Sequence, residues 1–249
     1  MAATLGVPSL TTEAAAAGVV PVENSQTGSV HENYDLFLRY PDVTIVGETK
    51  LRIVHCLIAN EGADLESIRV VRSHPQGFLQ CKEFLDKHPE WKLEPATTTA
   101  TAAASVVKDG TTGVAAIAGE AAARVQGLKV LREGIETNPM NYTRFLIITR
   151  RTGDTAPASP GSLKANKASL ALSISDEPGS LYACLRILSD KGINLSKLES
   201  RPIQGRPWEY LFYVDVSIPE EQEIFDSAMA ELKTKTKDFR LMGTYRASV

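Results

Sequence analysis

Apolar and polar positions alternate along this chain in two different rhythms, and the rhythms divide it into two blocks. In the first block, short apolar runs take turns with amphipathic stretches. Residues 44–48 and 51–58 have the composition and period of strands. Residues 70–73 read as a short strand end. Residues 77–87 then predict a helix with Phe78, Cys81, Phe84 and Leu85 on one face. Residues 99–107 predict a second helix. Residues 114–117 predict a buried strand running into an alanine-rich helix over 120–125, and residues 144–148 a closing strand. Strands and helices in alternation predict α/β layers.

The second block is denser. Residues 169–174 alternate with period two. Pro178 stands at a helix start, Leu181, Cys184, Leu185 and Leu188 follow at helical spacing, and Gly192 ends the helix. A strand over 194–202, a Gly205-Arg206-Pro207 turn and a strand over 209–216 predict a hairpin. Ile224, Phe225, Ala228, Met229 and Leu232 form the next helical stripe, and residues 239–245 supply a last strand. This order, βαββαβ, is the ferredoxin-like layout. Between the blocks a polar stretch rich in Gly, Pro and Ser reads as a linker. The expected domains are therefore 1–150 and 168–249, joined by a linker over 151–167.

Composition narrows the class. With 249 residues, 43% hydrophobic and 23% charged, the chain is an ordinary soluble globular protein with room for a normal core. A net charge of −3 without a basic stripe argues against nucleic acid as a partner. No apolar run approaches the roughly 20 residues of a membrane span, and the N-terminus lacks the basic and apolar regions of a secretory signal. Cys56, Cys81 and Cys184 are odd in number and far apart, which fits a reducing, cytoplasmic compartment and no disulfide framework.

The candidate chemistry sits at strand ends. Gly18-Val19-Val20-Pro21-Val22-Glu23-Asn24-Ser25 delivers a carboxylate, an amide and a hydroxyl in succession to one loop. Ser73-His74-Pro75-Gln76 lies between a strand end and a helix start. There serine can cap the helix and the free N–H groups can face a carboxylate; a capped turn without ligand uses the same residues. Thr97-Thr98-Thr99 reads as an N-cap cluster first and an anion site second. Asn141-Tyr142-Thr143-Arg144-Phe145 puts a hydroxyl beside a guanidinium, able to hold an acid or a leaving hydroxyl, or simply to begin a strand. His55 and Cys56 point to opposite faces of a strand, which rules them out as base and nucleophile. The four histidines show no metal-ligand spacing, and residues 113–119 lack both a G-x-G-x-x-G pattern and a P-loop lysine. In the second block, Asp176-Glu177-Pro178-Gly179-Ser180-Leu181 opens a helix and residues 194–202 run along a strand. Together they could serve the carboxylate and ammonium of an amino acid, or be cap chemistry beside a solvated strand.

Taken in order, Gly18–Ser25, Ser73-His74-Pro75-Gln76, Thr98-Thr99-Ala100, Asn141–Phe145 and Glu199-Ser200-Arg201-Pro202 resemble the motifs of prephenate dehydratase with a C-terminal ACT regulatory domain. The resemblance covers residues 18–246. It implies an α/β region of two lobes, similar to periplasmic binding proteins, followed by an α+β ferredoxin-like ACT domain. It implies loss of carbon dioxide and water from prephenate to give phenylpyruvate in phenylalanine biosynthesis, without metal or cofactor. Thr143 is then the residue closest to catalysis, with Glu23 as a second acid candidate. Asn24, Ser25, Ser73, Gln76, Thr99 and Arg144 line the cleft. Phenylalanine, the feedback effector, would bind through Gly179, Ser180, Leu181, Asn194, Leu195, Glu199, Ser200, Arg201 and Pro202. Ser180 stands where the family usually has alanine. A homodimer or homotetramer is expected by the same resemblance.

Arogenate dehydratase is the close variant, and a phenylalanine-binding module without catalysis is the alternative class. Upstream of Gly18 the family usually has a strand, a glycine-rich loop, a helix and a second strand. Here the stretch from Thr4 to Ala15 offers only a partial echo of that loop. The expectation is an incomplete first lobe, an unpaired sheet edge and weak or no dehydratase turnover by the isolated chain.

Overall fold

A computed structural model describes residues 17–151, 164–203, 205–206 and 209–247. The partial loop echo at residues 4–15, most of the linker and Pro207 of the expected turn lie outside the described residues.

In chain order the elements are β1 (Ala17–Asn24), β2 (Gly28–Ser29), α1 (His31–Arg39), β3 (Val43–Arg52), β4 (Cys56–Ala59), β5 (Val70–Ser73), α2 (Pro75–Gln80), α3 (Lys82–Leu85), β6 (Lys92–Pro95) and α4 (Thr99–Asp109). They continue with β7 (Val114–Ala118), α5 (Glu120–Gln126), β8 (Lys129–Glu133), β9 (Tyr142–Arg150), β10 (Lys167–Ser173), α6 (Ser180–Asp190), β11 (Leu195–Pro202), β12 (Tyr210–Ser217), α7 (Gln222–Lys235) and β13 (Asp238–Tyr245). The chain forms two compact units. One comprises Asn24–Gly28 and Leu51–Thr143, the other the described residues of Pro8–Glu23, Ser29–Lys50 and Arg144–Val249. Early strands of the first block thus group with the second block.

The first unit is built on a five-stranded sheet of order β6-β5-β7-β4-β8. Strand β5 is parallel to β6 and β7, while β4 is antiparallel to β7 and β8. Both faces are covered. Leu57, Val71, Ala115 and Ile117 pack with Cys81, Leu85 and Trp91 on one side; Cys56, Ile58, Ala116 and Ala118 pack with Ala102, Ala103 and Val106 of α4 on the other. That double burial is why β4 and β7 read as unbroken apolar runs.

Two expected elements are broken by the same loop. The helix over 77–87 is two short helices, because Thr137 occupies the junction. Its backbone N–H donates to the Gln80 carbonyl (2.7 Å), and its hydroxyl accepts from the Glu83 N–H (3.2 Å). The strand over 51–58 is interrupted because the Ile53 N–H donates to the Asn141 carbonyl (2.7 Å) and the His55 N–H to the Glu136 carboxylate (2.9 Å).

The second unit holds two four-stranded sheets, of order β2-β1-β9-β3 and β11-β12-β10-β13. The second of these carries α6 and α7 on one face in the expected βαββαβ order, burying Leu170, Leu172, Val214 and Val216 against Cys184, Leu188, Phe225 and Leu232. Its other face packs Ala171, Leu211, Tyr213, Met242 and Tyr245 on Val22, Tyr34, Phe37, Ile45 and Leu146. Gly243 permits that packing, since a Cβ there would overlap the Ile45 carbonyl. Arg240 donates to the carbonyls of Phe37, Tyr40, Pro41 and Val43, capping the end of α1.

Candidate functional site

In the first unit, the parallel strands β5, β6 and β7 all finish at one end of the sheet, which is where open α/β sheets bind ligands. The connections into α2 and α4 lie side by side there, with the Ala96 N–H donating to the Ser73 carbonyl (2.8 Å). The β4 start and the β8 end reach the same edge, since Cys56 pairs with both Ala118 and Glu133.

Ser73 does not cap α2. It is wholly buried, its hydroxyl donates to the Ile117 carbonyl (2.9 Å), and Gly77 packs so closely that a Cβ would overlap the Ser73 Oγ. Ser73, expected to line the cleft, holds the turn from within. The cap is His74, whose Nδ1 accepts from the Gln76 N–H (3.1 Å). If neutral, that ring therefore carries its proton on Nε2. Gln76 is half-buried, with its side chain making no hydrogen bond to the described residues. At α4 the cap is Thr98, reciprocally bonded to Thr101 in a capping box, which leaves the half-buried Thr99 as the first helical residue.

The Asn24–Thr27 turn is stitched to the 138–143 segment. Asn24 Oδ1 accepts from the N–H groups of Gln26 (3.0 Å) and Thr27 (3.1 Å), which fixes the amide orientation. Its Nδ2 must then face the other way. It donates to Asn141 Oδ1 (2.7 Å) and Thr143 Oγ1 (3.0 Å). Thr143 thus accepts at its hydroxyl, and its own proton goes to none of the described residues. Ser25 donates to the Met140 carbonyl and accepts from the Tyr142 N–H, both at 2.9 Å, so its hydroxyl is a strut. Asn141 is fully buried with Nδ2 unpartnered. It belongs to a recognised motif, yet sequence reasoning did not single it out. Beneath it, buried Glu136 ties His55 to Arg52, and His55 Nε2 lies 2.7 Å from Gln80 Oε1.

Arg144 lies in the second unit, and its guanidinium donates to three partners there. Nε donates to Glu48 (2.7 Å), Nη1 to Asp215 (2.6 Å) and Nη2 to the Tyr245 hydroxyl (3.0 Å). Burial alone would lower its pKa, but Asp215, Tyr245 and Glu48 outweigh it and raise it. Ser169 and Lys167 complete the cluster around Asp215 and Glu48. Arg144, expected as a substrate-binding residue, is a buried cation paired with Glu48 and Asp215. Glu23, the second acid candidate, lies 3.6 Å from Arg144 and 3.4 Å from Lys197.

A cavity of about 270 Å³ opens at the start of α6. Gly179, Ser180 and Leu181 line it, joined by Tyr182, Tyr210 and Phe212, which the sequence did not point to. Gly179 has φ +88°, a left-handed position that suits glycine. The other expected effector residues divide. Ser200 and Pro202 pair across the sheet with Phe212 and Tyr210. Glu199 and Arg201 point to the opposite face, where they meet His31, Ser29 and Asp35. Leu195 packs into the core, and Asn194 is tied through its backbone to Ser217.

All three thiols are buried. Burial raises the pKa of Cys56 and Cys184 and pushes Cys81 up to about 12, which leaves no activated sulfur nucleophile. Among the described residues no helix is long and apolar enough to cross a membrane.

Residues 7–153 match the family model described as prephenate dehydratase. The chain is 37% identical over 227 residues to a bifunctional chorismate mutase/prephenate dehydratase of Enterobacter agglomerans, covering 91% of this chain and 57% of that protein. It is also 37% identical over 236 residues to arogenate dehydratase/prephenate dehydratase 2, chloroplastic, of Arabidopsis thaliana, covering 91% and 60%. The chain thus spans less than two thirds of these relatives. Among solved structures, prephenate dehydratase from Arthrobacter aurescens in complex with L-Phe superposes with a TM-score of 0.81 at 31% identity, over 93% of this chain and 75% of that one. GqqA, described as a novel type of quorum quenching acylase, superposes at 0.82 and 30% identity, over 94% and 83%.

Proposed function

Because the chain belongs to the prephenate dehydratase family, we propose that it converts prephenate to phenylpyruvate, with Thr143 as the catalytic residue. The observation that carries this reading is the Asn24 amide donating to Thr143 Oγ1 at 3.0 Å. A hydroxyl that accepts from a fixed amide is oriented, and its own proton is left to donate. In the reaction, the C–C bond to the ring carboxylate breaks and releases carbon dioxide. Its electron pair enters the ring, and the ring C–O bond breaks. The departing oxygen takes a proton and leaves as water. Aromatisation drives the process, so positioning and hydrogen bonding are sufficient catalysis. Threonine is a weak acid, and Thr143 acts as a hydrogen-bond donor to the departing oxygen, with the proton supplied ultimately by solvent. Gln76 and Thr99, at the strand-end edge of the first unit, offer donors to the substrate carboxylates.

The βαββαβ block acts as an ACT regulatory domain with phenylalanine in the cavity at the α6 start, where the helix N-terminus favours a carboxylate and Asp176 and Glu177 an ammonium. The phenylalanine complex of the similar Arthrobacter aurescens enzyme supports this assignment. A cytoplasmic homodimer or homotetramer accords with the reading. The relatives named as arogenate dehydratases favour a second substrate, the aminated analogue. Parallel assays of phenylpyruvate formed from prephenate and phenylalanine formed from arogenate test both. Turnover of neither substrate contradicts the proposal.

A further inference from the structure

Among the described residues, strand β11 pairs in its sheet with β12, and it presents two unlike faces. Past an irregularity between Leu195 and Lys197, Lys197, Glu199 and Arg201 are half-buried, while Leu198, Ser200 and Pro202 are exposed. Ser200 and Pro202 pair with Phe212 and Tyr210, the residues that line the α6 cavity. On the reverse face, the Lys197 ammonium is almost closed off, with its side chain 8% exposed. It lies 2.7 Å from Ser29 Oγ, 3.4 Å from Glu23, 3.5 Å from Glu199 and 5.4 Å from the centre of the Tyr34 ring. Glu199 in turn accepts from Ser29 and lies within hydrogen-bond reach of His31, both at 2.6 Å. One buried cation is therefore shared by two carboxylates. Glu199 belongs to the strand that borders the cavity. Glu23 also pairs with Arg144 and stands one peptide bond before Asn24, the residue that orients Thr143.

We propose that Lys197 is a positioning residue that transmits occupancy of the α6 cavity to the Glu23–Asn24 strand end by dividing its ammonium between Glu199 and Glu23. The proposal rests on the function proposed above. Strand β11 carries the cavity-side residues and Lys197 on opposite faces. Its strict alternation makes any shift that Ser200 and Pro202 undergo on the cavity side a shift of Lys197 on the other. Movement toward Glu199 releases Glu23, and movement toward Glu23 tightens it. Either way the Asn24 amide, and with it the Thr143 hydroxyl, is reset without the effector touching either residue.

The test uses the full chain and the variants Lys197→Met, Lys197→Arg and Glu199→Gln. Phenylalanine binding is measured by calorimetry and inhibition by phenylpyruvate formation. For Lys197→Met, the phenylalanine concentration giving half inhibition should rise about tenfold or more, while the dissociation constant stays within about threefold, as the loss of a coupling energy requires. Lys197→Arg, which keeps the cation, should restore the wild-type ratio of the two numbers. If Lys197→Met does not fold, Glu199→Gln must show the same divergence of inhibition from binding. Inhibition and binding that change in parallel, or a half-inhibiting concentration equal to the wild-type one, overturn the relay alone. A wild-type chain that neither turns over prephenate nor binds phenylalanine overturns the functional reading and the relay with it.

Discussion

Thr143 and Arg144 are neighbours on β9 and belong to one sequence motif, but their surroundings are opposite in kind. Thr143 sits among neutral amides and hydroxyls, bonded to Asn24, with a proton left to give. Arg144 sits among buried charges, with Glu48, Asp215 and Tyr245 taking its donors. The division into compact units runs between the two residues. A shared motif therefore does not mean a shared role. Strand alternation turns the two side chains to opposite faces, and Arg144 enters the packing that holds the second unit together.

That contrast can be broken experimentally. The largest effect is expected for Arg144→Met, which strips a buried cation from its carboxylates and should cost about 3–5 kcal/mol of stability in denaturant unfolding. Turnover per folded molecule should fall less than stability does. Thr143→Ala should do the reverse. Losing one oriented donor should lower kcat by about 10²–10³-fold, with little change in the unfolding midpoint. Asn24→Ala removes the amide that orients Thr143. It should cost about 1–3 kcal/mol, by leaving Asn141 Oδ1 and the turn N–H groups unpaired, and it should lower kcat with little change in KM. Gly77→Ala drives a methyl into Ser73 Oγ and should cost about 1–3 kcal/mol in thermal unfolding.

The smallest effect concerns pH. Burial opposes ionisation of Glu199, but the bonds from Ser29 and His31 and the charge of Lys197 prevail and hold its pKa below the ordinary carboxylate value. A depressed carboxylate stabilises the fold above its unfolded pKa, and that stability is lost as the pH falls through the folded value. Unfolding midpoints in acid should therefore drop less steeply for Glu199→Gln than for the wild type.

Much of the architecture was legible in the sequence because it follows from periodicity. The 169–174 alternation, the Leu181–Leu188 stripe and the buried run at 114–117 all became the elements they predicted. The two misread elements share a cause that no local pattern carries. Thr137, Asn141 and Glu136 arrive from far along the chain and take backbone groups that the 77–87 helix and the 51–58 strand would otherwise use. Site chemistry was legible as residue type but not as direction. Glu23, Ser25, Ser73 and Arg144 were expected beside a ligand, and residue type alone did not reveal the hydrogen bonds and ion pairs they make within the protein. The cavity aromatics Tyr182, Tyr210 and Phe212 escaped notice because apolar residues on a helix and a strand carry no chemical signature of their own.

The central claim, that Thr143 is the catalytic donor of a prephenate dehydratase, is tested most directly by phenylpyruvate formation from prephenate in the wild type and in Thr143→Ala, with unfolding midpoints measured alongside. The account predicts measurable turnover by the wild type and a loss of about 10²–10³-fold in the variant at nearly unchanged stability. Full activity in Thr143→Ala, or none in the wild type, would contradict it.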